Sequence, residues 1–96
     1  MPAVVAIYTT PWCPYCHRAK ALLSRKGVSY EEIDAEGRPD LRRWLEEASG
    51  QHTVPQVFIN NEPVGGYSDI AQLDRQGVLD AKLRQAPAAA LPALPR

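Results

Sequence analysis

The chain has 96 residues, of which 45% are hydrophobic and 23% charged, and this is the composition of one small globular domain. Eleven basic residues balance eleven acidic ones, so no net charge attracts the chain to nucleic acid or to an anionic membrane, and we expect neither as a partner. The N-terminal apolar run is too short for a signal peptide or a membrane span and has no basic region before it, which predicts a cytoplasmic protein.

The first half of the chain predicts a strand, a helix, a strand and a second helix. The apolar, β-branched run at residues 4–8 predicts a strand that is buried on both faces. Pro14 suits the first turn of a helix that continues to Lys26. Residues 28–34 predict the second strand, and an apolar stripe at helical spacing predicts a helix over residues 39–49.

The second half predicts a β-hairpin and two further helices. The expected elements are a strand at residues 56–59, a turn at Asn60-Asn61, a strand at residues 62–65, a helix that Ser68 caps and that continues to about Gln76, and a short helix at residues 79–85. Because Pro63 has no amide donor, the fourth strand is expected at an edge of the sheet.

This order of elements predicts an α/β domain over residues 1–85. The first crossover should be right-handed and the first two strands parallel, in a four-stranded mixed sheet with helices on both faces. Residues 86–96 are rich in proline and alanine and predict a disordered or extended C-terminal tail.

The motif Cys13-Pro14-Tyr15-Cys16 joins the end of the first strand to the start of the first helix. Cys13 precedes the first helical turn, where unpaired amides and the positive end of the helix dipole favour an anion. Its thiol is therefore expected to ionise readily, and a thiolate is the species that attacks disulfides. Cys16 lies on the apolar face of the helix. The motif predicts thiol–disulfide exchange, with Cys13 as the attacking thiol and Cys16 as the resolving one.

Three other interpretations of the cysteine pair are weaker. A structural disulfide would close too short a loop to restrain the unfolded chain much. A zinc site needs four ligands, and only His17 and His52 could join the two cysteines. Residues 13–17 match the pattern for c-type haem attachment, but this attachment implies export, and the only methionine is Met1. We therefore expect no metal or haem.

Three motifs together resemble the dithiol glutaredoxins: Cys-Pro-Tyr-Cys at 13–16, Thr53-Val54-Pro55 before the third strand, and Gly-Gly-Tyr-Ser-Asp at 65–69. The resemblance extends over about residues 4–83. It implies a thioredoxin-like fold, a monomer, and glutathione-dependent reduction of protein disulfides and of protein–glutathione mixed disulfides. Glutathione would be a co-substrate, no cofactor would be required, and the protein partners would carry disulfides or glutathionyl groups.

The resemblance also implies a binding site for glutathione. Pro55 would follow a cis peptide bond and face Cys13, and the backbone of Val54 would pair with the cysteinyl part of glutathione. The glycine turn and the helix start after it would receive the γ-glutamyl carboxylate, and Arg42 would meet the glycyl carboxylate. The full set of implied glutathione-binding residues is Tyr15, Arg42, Thr53, Val54, Pro55, Gly66, Tyr67 and Ser68.

The sequence departs from the usual glutaredoxin pattern in three places. Thr10 occupies a position where many members have lysine, Trp12 is larger than the common residue, and Tyr67 replaces a frequent cysteine. Residues 8–13 are also similar to mycoredoxins, which use a different small thiol.

Two other functions stay open for this sequence. One is a hydrogen donor fed by thioredoxin reductase, and the other is a carrier of an iron–sulfur cluster ligated by Cys13 and glutathione across a dimer.

Overall fold

The structure, a computed structural model, describes residues 3–96. Met1 and Pro2, the first residues of the predicted domain, lie outside the described residues. The elements in chain order are β1 (Val5–Thr9), α1 (Pro14–Arg25), β2 (Glu31–Asp34), α2 (Pro39–Ser49), β3 (Gln56–Ile59), β4 (Glu62–Gly65), α3 (Tyr67–Arg75) and α4 (Val78–Arg84). Within residues 3–96 no helix is long and apolar enough to cross a membrane.

The sheet has the order β2-β1-β3-β4, with β1 and β2 parallel and the other two pairs antiparallel. The predicted four-stranded mixed sheet is therefore confirmed. Strand β4, which contains Pro63, lies at an edge as expected, where a missing amide donor does not break an internal ladder.

The central strand β1 is buried along its whole length because helices cover both faces of the sheet. Its alternate side chains belong to two separate cores. One core lies with α1, α3 and α4 and contains Val5, Ile7, Ala19, Leu22, Leu23, Val57, Ile59, Ile70, Leu79 and Leu83. The other lies with α2 and contains Ala6, Tyr8, Ile33, Ala35, Leu41, Leu45 and Phe58, with Trp44 packed against it.

The structure corrects the boundaries of five predicted elements. Helix α1 ends at Arg25 rather than at Lys26, which is its C-cap, and β1 ends at Thr9 rather than at residue 8. Strand β1 starts one residue later than expected, and Val4 is exposed. Strand β2 starts at Glu31 rather than at residue 28, because its ladder with β1 begins where Glu31 pairs with Ala6 and the preceding residues have no strand partner. Helix α3 begins at Tyr67 with Gly66 as its N-cap, so Ser68 is not the cap. Helix α4 begins at Val78 and ends at Arg84.

Residues 86–96 contain no helix or strand, and the end of this segment lies against the α2 side of the sheet. The Tyr8 hydroxyl donates a hydrogen bond to the Pro95 carbonyl at 2.5 Å, and Leu94 packs on the core that contains Tyr8. Asn61 Nδ2 donates to the Pro92 carbonyl at 2.8 Å. The division of the chain at residue 85 and the disorder of the tail stay predictions.

Candidate active site

Cys13 is the N-cap residue of α1, and its sulfur lies at the positive end of the helix. The Cys16 backbone N–H donates to Cys13 Sγ at 3.3 Å, and the Cys13 thiol donates to the Val54 carbonyl at 3.7 Å. Cys13 is partly exposed, and both cysteines are free thiols. A thiolate at this sulfur would be stabilised by the helix amide and reached from solvent, which suits a nucleophile.

Cys16 lies on the next turn in a very different environment. Its side chain is 1% exposed and packs among the residues of α1 that face the core. The pKa of the Cys16 thiol is raised to about 12, chiefly by burial and then by the hydrogen bond with Cys13, and the Thr10 backbone hydrogen bond and the Lys20 charge oppose these effects. Cys16 therefore stays protonated near neutral pH. The difference in exposure between the two cysteines is as expected, while their chemical roles stay predictions.

The loop before β3 faces Cys13. The peptide bond between Val54 and Pro55 is cis, as the resemblance implied. Pro55 is buried, Thr53 is exposed, and the Val54 carbonyl is the group that accepts from the Cys13 thiol. The loop therefore carries an accessible stretch of backbone past the reactive sulfur.

The turn between β4 and α3 packs tightly against this loop, and its two glycines are needed for different reasons. Gly65 has φ +100°, and a Cβ there would lie 2.6 Å from Asp69 Cγ. A Cβ at Gly66 would lie 3.2 Å from the Pro55 carbonyl oxygen. The Gly66 N–H donates to Asp69 Oδ2 at 2.9 Å, so the Asp69 carboxylate folds back over the start of α3.

These segments enclose a cleft of about 460 Å³ beside Cys13. It is lined by Tyr15, Gln51, Thr53, Val54, Pro55, Gly66, Tyr67, Ser68 and Asp69. Seven of the eight residues named for glutathione binding from the sequence therefore line one cleft. The exception is Arg42, whose guanidinium Nη2 donates to the His52 carbonyl at 3.3 Å beside the cleft rather than in its lining.

Two residues that line the cleft, Gln51 and Asp69, were missed as site residues from the sequence. Asp69 could have been found, because it is the third helical residue after the Gly66 cap, the position from which an acidic side chain reaches back to a helix start. No local sequence pattern marks Gln51 as a site residue. It is a polar residue after α2, and its contacts are made with residues distant in sequence.

Aromatic and basic side chains surround the entrance to the cleft. Tyr15 is 57% exposed, its ring centroid lies 6.4 Å from that of Tyr67, and the Arg18 guanidinium lies 5.3 Å from the Tyr15 centroid. Trp12, next to Cys13, is 92% exposed. Among residues 3–96 no three His, Cys, Asp or Glu side chains lie close enough to hold a metal ion.

The glutaredoxin family profile matches residues 5–64. A glutaredoxin from Pseudomonas aeruginosa is 55% identical over 83 residues, which are 86% of this chain and 98% of that protein. The solution structure of a glutaredoxin from Brucella melitensis has a TM-score of 0.78 at 51% identity and covers 86% of this chain and 90% of that one. A crystal structure of a buckwheat glutaredoxin–glutathione complex has a TM-score of 0.78 at 30% identity and covers 84% of this chain and 76% of that one. The two superpositions confirm the thioredoxin-like fold.

Proposed function

The chain belongs to the glutaredoxin family and is a dithiol, glutathione-dependent oxidoreductase, and from this premise we propose that Cys13 and Cys16 reduce protein disulfides and protein–glutathione mixed disulfides. The observation that carries this proposal is the placement of a partly exposed Cys13 sulfur at the start of α1. It lies beside a cleft of about 460 Å³ whose wall contains the backbone of the loop before β3 and the start of α3.

In the dithiol reaction the Cys13 thiolate attacks one sulfur of a protein disulfide. The substrate S–S bond breaks, the departing thiolate takes up a proton, and a mixed disulfide joins Cys13 to the substrate. Cys16 then loses its proton and attacks Cys13 Sγ, which releases the second substrate thiol and leaves a Cys13–Cys16 disulfide. Two glutathione molecules reduce this disulfide and leave as oxidised glutathione, so two electrons pass from glutathione to the substrate.

The high pKa of Cys16, about 12, makes it a poor nucleophile while Cys13 is free. The hydrogen bond between the two sulfurs contributes to that high pKa, and it is lost once Cys13 is bound in a mixed disulfide. Capture of substrate therefore removes one of the effects that hold the Cys16 thiol protonated, while its burial remains.

Deglutathionylation needs Cys13 alone. The Cys13 thiolate attacks the glutathionyl sulfur of the mixed disulfide and releases the protein thiol. A second glutathione attacks the sulfur of the glutathione bound to Cys13, forms oxidised glutathione and restores the thiolate. Cys16 takes no part, so this reaction should survive its replacement.

We assign glutathione to the cleft because its lining supplies complementary groups for each part of the tripeptide. The Val54 backbone would pair with the cysteinyl residue, and the amides at the start of α3 would bind the γ-glutamyl carboxylate. The Asp69 carboxylate lies in the same wall and suits the γ-glutamyl ammonium. Arg42, beside His52, remains our candidate for the glycyl carboxylate. The buckwheat glutaredoxin–glutathione complex supports this assignment by similarity of fold.

The test is turnover of a glutathionylated peptide with glutathione, glutathione reductase and NADPH, beside a matched assay with thioredoxin reductase and NADPH. We expect turnover in the first assay and little in the second. Turnover only with thioredoxin reductase would contradict the proposal and favour a hydrogen donor fed by that enzyme. We further propose a monomer that works in the cytoplasm, where a reducing glutathione pool can return the disulfide to the dithiol form.

A further inference from the structure

We propose that Gln51 and Gln56 are positioning residues, which hold the Asp69 carboxylate as a hydrogen-bond acceptor in the cleft so that the site selects a thiol ligand with a free ammonium group. The inference rests on the proposed function, because it concerns the same cleft. It extends that function by naming the residues that position the Asp69 carboxylate for the γ-glutamyl ammonium.

A chain of hydrogen bonds connects Gln56 to Asp69. Gln56 Nε2 donates to Gln51 Oε1 at 2.8 Å and to the Thr53 carbonyl at 3.0 Å. Gln51 Nε2 in turn donates to Asp69 Oδ2 at 3.3 Å, the oxygen that also accepts from the Gly66 N–H at 2.9 Å. We call this series, from Gln56 through Gln51 to Asp69, the amide relay.

The direction of the amide relay is fixed at its buried end. Both partners of Gln56 Nε2 are oxygen acceptors, and one of them is a backbone carbonyl that cannot donate, so the NH₂ group of Gln56 must point towards them. Gln51 is then obliged to present its oxygen to Gln56 and its NH₂ group to Asp69. The Asp69 carboxylate is met by donors only, which suits its role as an acceptor.

The burial of Gln56 shows that its polar group has a specific use. The side chain is 0% exposed, although it begins a strand whose other residues, Val57, Phe58 and Ile59, are all apolar. Its Oε1 has no hydrogen-bond partner among residues 3–96. A buried amide with one unpaired atom is less favourable than an aliphatic side chain of similar size. The hydrogen bonds donated by its Nε2 are therefore the reason for an amide side chain at this buried position.

The amide relay joins the three segments that form the cleft. Gln51 follows α2, Thr53 belongs to the loop whose backbone passes Cys13, and Asp69 belongs to α3. Asp69 Oδ2 accepts from two donors, while Oδ1 accepts no hydrogen bond from residues 3–96 and can face a ligand cation. The amides at the start of α3 favour an anion in the same wall. Together they match the zwitterionic end of a γ-glutamyl group.

The amide relay is tested by Gln51→Glu, with Gln51→Met as an uncharged second variant and Gln72→Glu as a control of equal charge at an exposed position of α3. The probe is S-methylglutathione, which cannot react, titrated by NMR against each protein and compared with its N-acetylated form. We expect Gln51→Glu to bind S-methylglutathione about tenfold more weakly, the scale of one lost hydrogen bond to a charged group. Binding of the N-acetylated form should change much less, and Gln72→Glu should match the parent.

The pH dependence separates a positioning role from a general structural effect. When the carboxyl introduced by Gln51→Glu is protonated, it can accept from Gln56 and donate to Asp69 as the amide does. The titratable groups near it are Asp69 in α3, Tyr15 and Tyr67 in the cleft lining, and the neighbouring His52 and Arg42. The ratio of parent to Gln51→Glu affinity should therefore fall towards one between about pH 8 and about pH 5, since a second carboxylate raises the pKa of the pair. Gln51→Met should show no such recovery.

The outcomes distinguish the amide relay from the function on which it rests. If the parent neither turns over with glutathione nor binds S-methylglutathione, the proposed function and this inference both fail. If the parent does both, but Gln51→Glu and Gln51→Met bind the free and the N-acetylated probe with equal losses, the amide relay alone is wrong. The inference is likewise overturned if the two Gln51 variants bind S-methylglutathione as tightly as the parent.

Discussion

Replacing Gly65 by alanine should damage both the stability of the protein and the proposed glutathione site. Gly65 has φ +100°, a conformation that costs a residue with a side chain about 1–3 kcal/mol. The new Cβ would also lie 2.6 Å from Asp69 Cγ and 2.7 Å from Asp69 Cβ, so the Asp69 side chain must leave its place over the start of α3. Loss of its hydrogen bond with the Gly66 N–H should cost a further ~1 kcal/mol, the usual value of a helix cap.

Gly27→Ala is the matched control for this prediction. Gly27 has φ +74° and follows α1, but a Cβ there meets no atom within 4 Å. It therefore carries the backbone cost without the clash. We expect urea denaturation to give a free energy of unfolding lower by about 1–2 kcal/mol for Gly27→Ala and by about 2–4 kcal/mol for Gly65→Ala. Only Gly65→Ala should also weaken binding of S-methylglutathione.

Two results would refute this reasoning. Equal losses of stability in the two variants would mean that Asp69 is not displaced, or that its contact with Gly66 contributes nothing. Unchanged binding of S-methylglutathione by a folded Gly65→Ala protein would mean that the position of the Asp69 carboxylate does not matter to the ligand.

Three further predictions concern the cysteines, the missing lysine and a buried tyrosine. Cys16→Ser should lose disulfide reduction by the dithiol route but keep deglutathionylation, measured with a protein disulfide and a glutathionylated peptide; equal losses would contradict the assigned roles. Thr10→Lys should lower the glutathione KM by about two- to fivefold through a solvent-exposed ion pair, and the gain should shrink in high salt. Burial raises the pKa of Tyr8 to about 12, above its ordinary value of 10.0, so Tyr8 ionises first in the unfolded chain. The preference of the folded state for neutral Tyr8 contributes about 2–3 kcal/mol to the free energy of unfolding; this contribution is complete below pH 10 and is lost as pH rises towards 12. Tyr8→Phe should therefore remove that part of the decline in the free energy of unfolding at high pH. An identical decline in both proteins would show that Tyr8 does not titrate there.

Local sequence rules predicted much of the fold because the relevant forces act over a few residues. Pro14 at the first turn, the apolar face of α1 and the glycine after α2 each specify a helix boundary or a buried face without distant contacts. Pro63 likewise indicated an edge strand, because a residue without an amide donor cannot take part fully in ladders with strands on both sides.

The errors in the predicted elements come from tertiary contacts. Strand β2 is shorter than residues 28–34 predict, because its pairing with β1 begins only where Glu31 meets Ala6. Ser68 is a good cap by residue type, but the Asp69 carboxylate already accepts from the Gly66 N–H, and the helix starts two residues earlier than a Ser68 cap would allow.

The candidate site was predictable in its chemistry but not in its full composition. The two cysteines and the two loop motifs can be read from the sequence, and the cis bond before Pro55 came only from the family resemblance. The contact between Gln51 and Asp69 spans 18 positions, and that between Gln56 and Gln51 depends on how the loop after α2 turns back. No local pattern encodes such contacts, so the amide relay emerges only from the folded structure.

The central claim, that Cys13 is the thiol that exchanges with glutathione, is tested most directly by the intact mass of each cysteine variant after brief exposure to oxidised glutathione. The chain has only two cysteines, so each single variant retains one candidate thiol. We predict that Cys16→Ser gains one glutathionyl group rapidly near neutral pH and that folded Cys13→Ser gains none in the same time. Modification of Cys13→Ser at a rate equal to that of Cys16→Ser would contradict the claim.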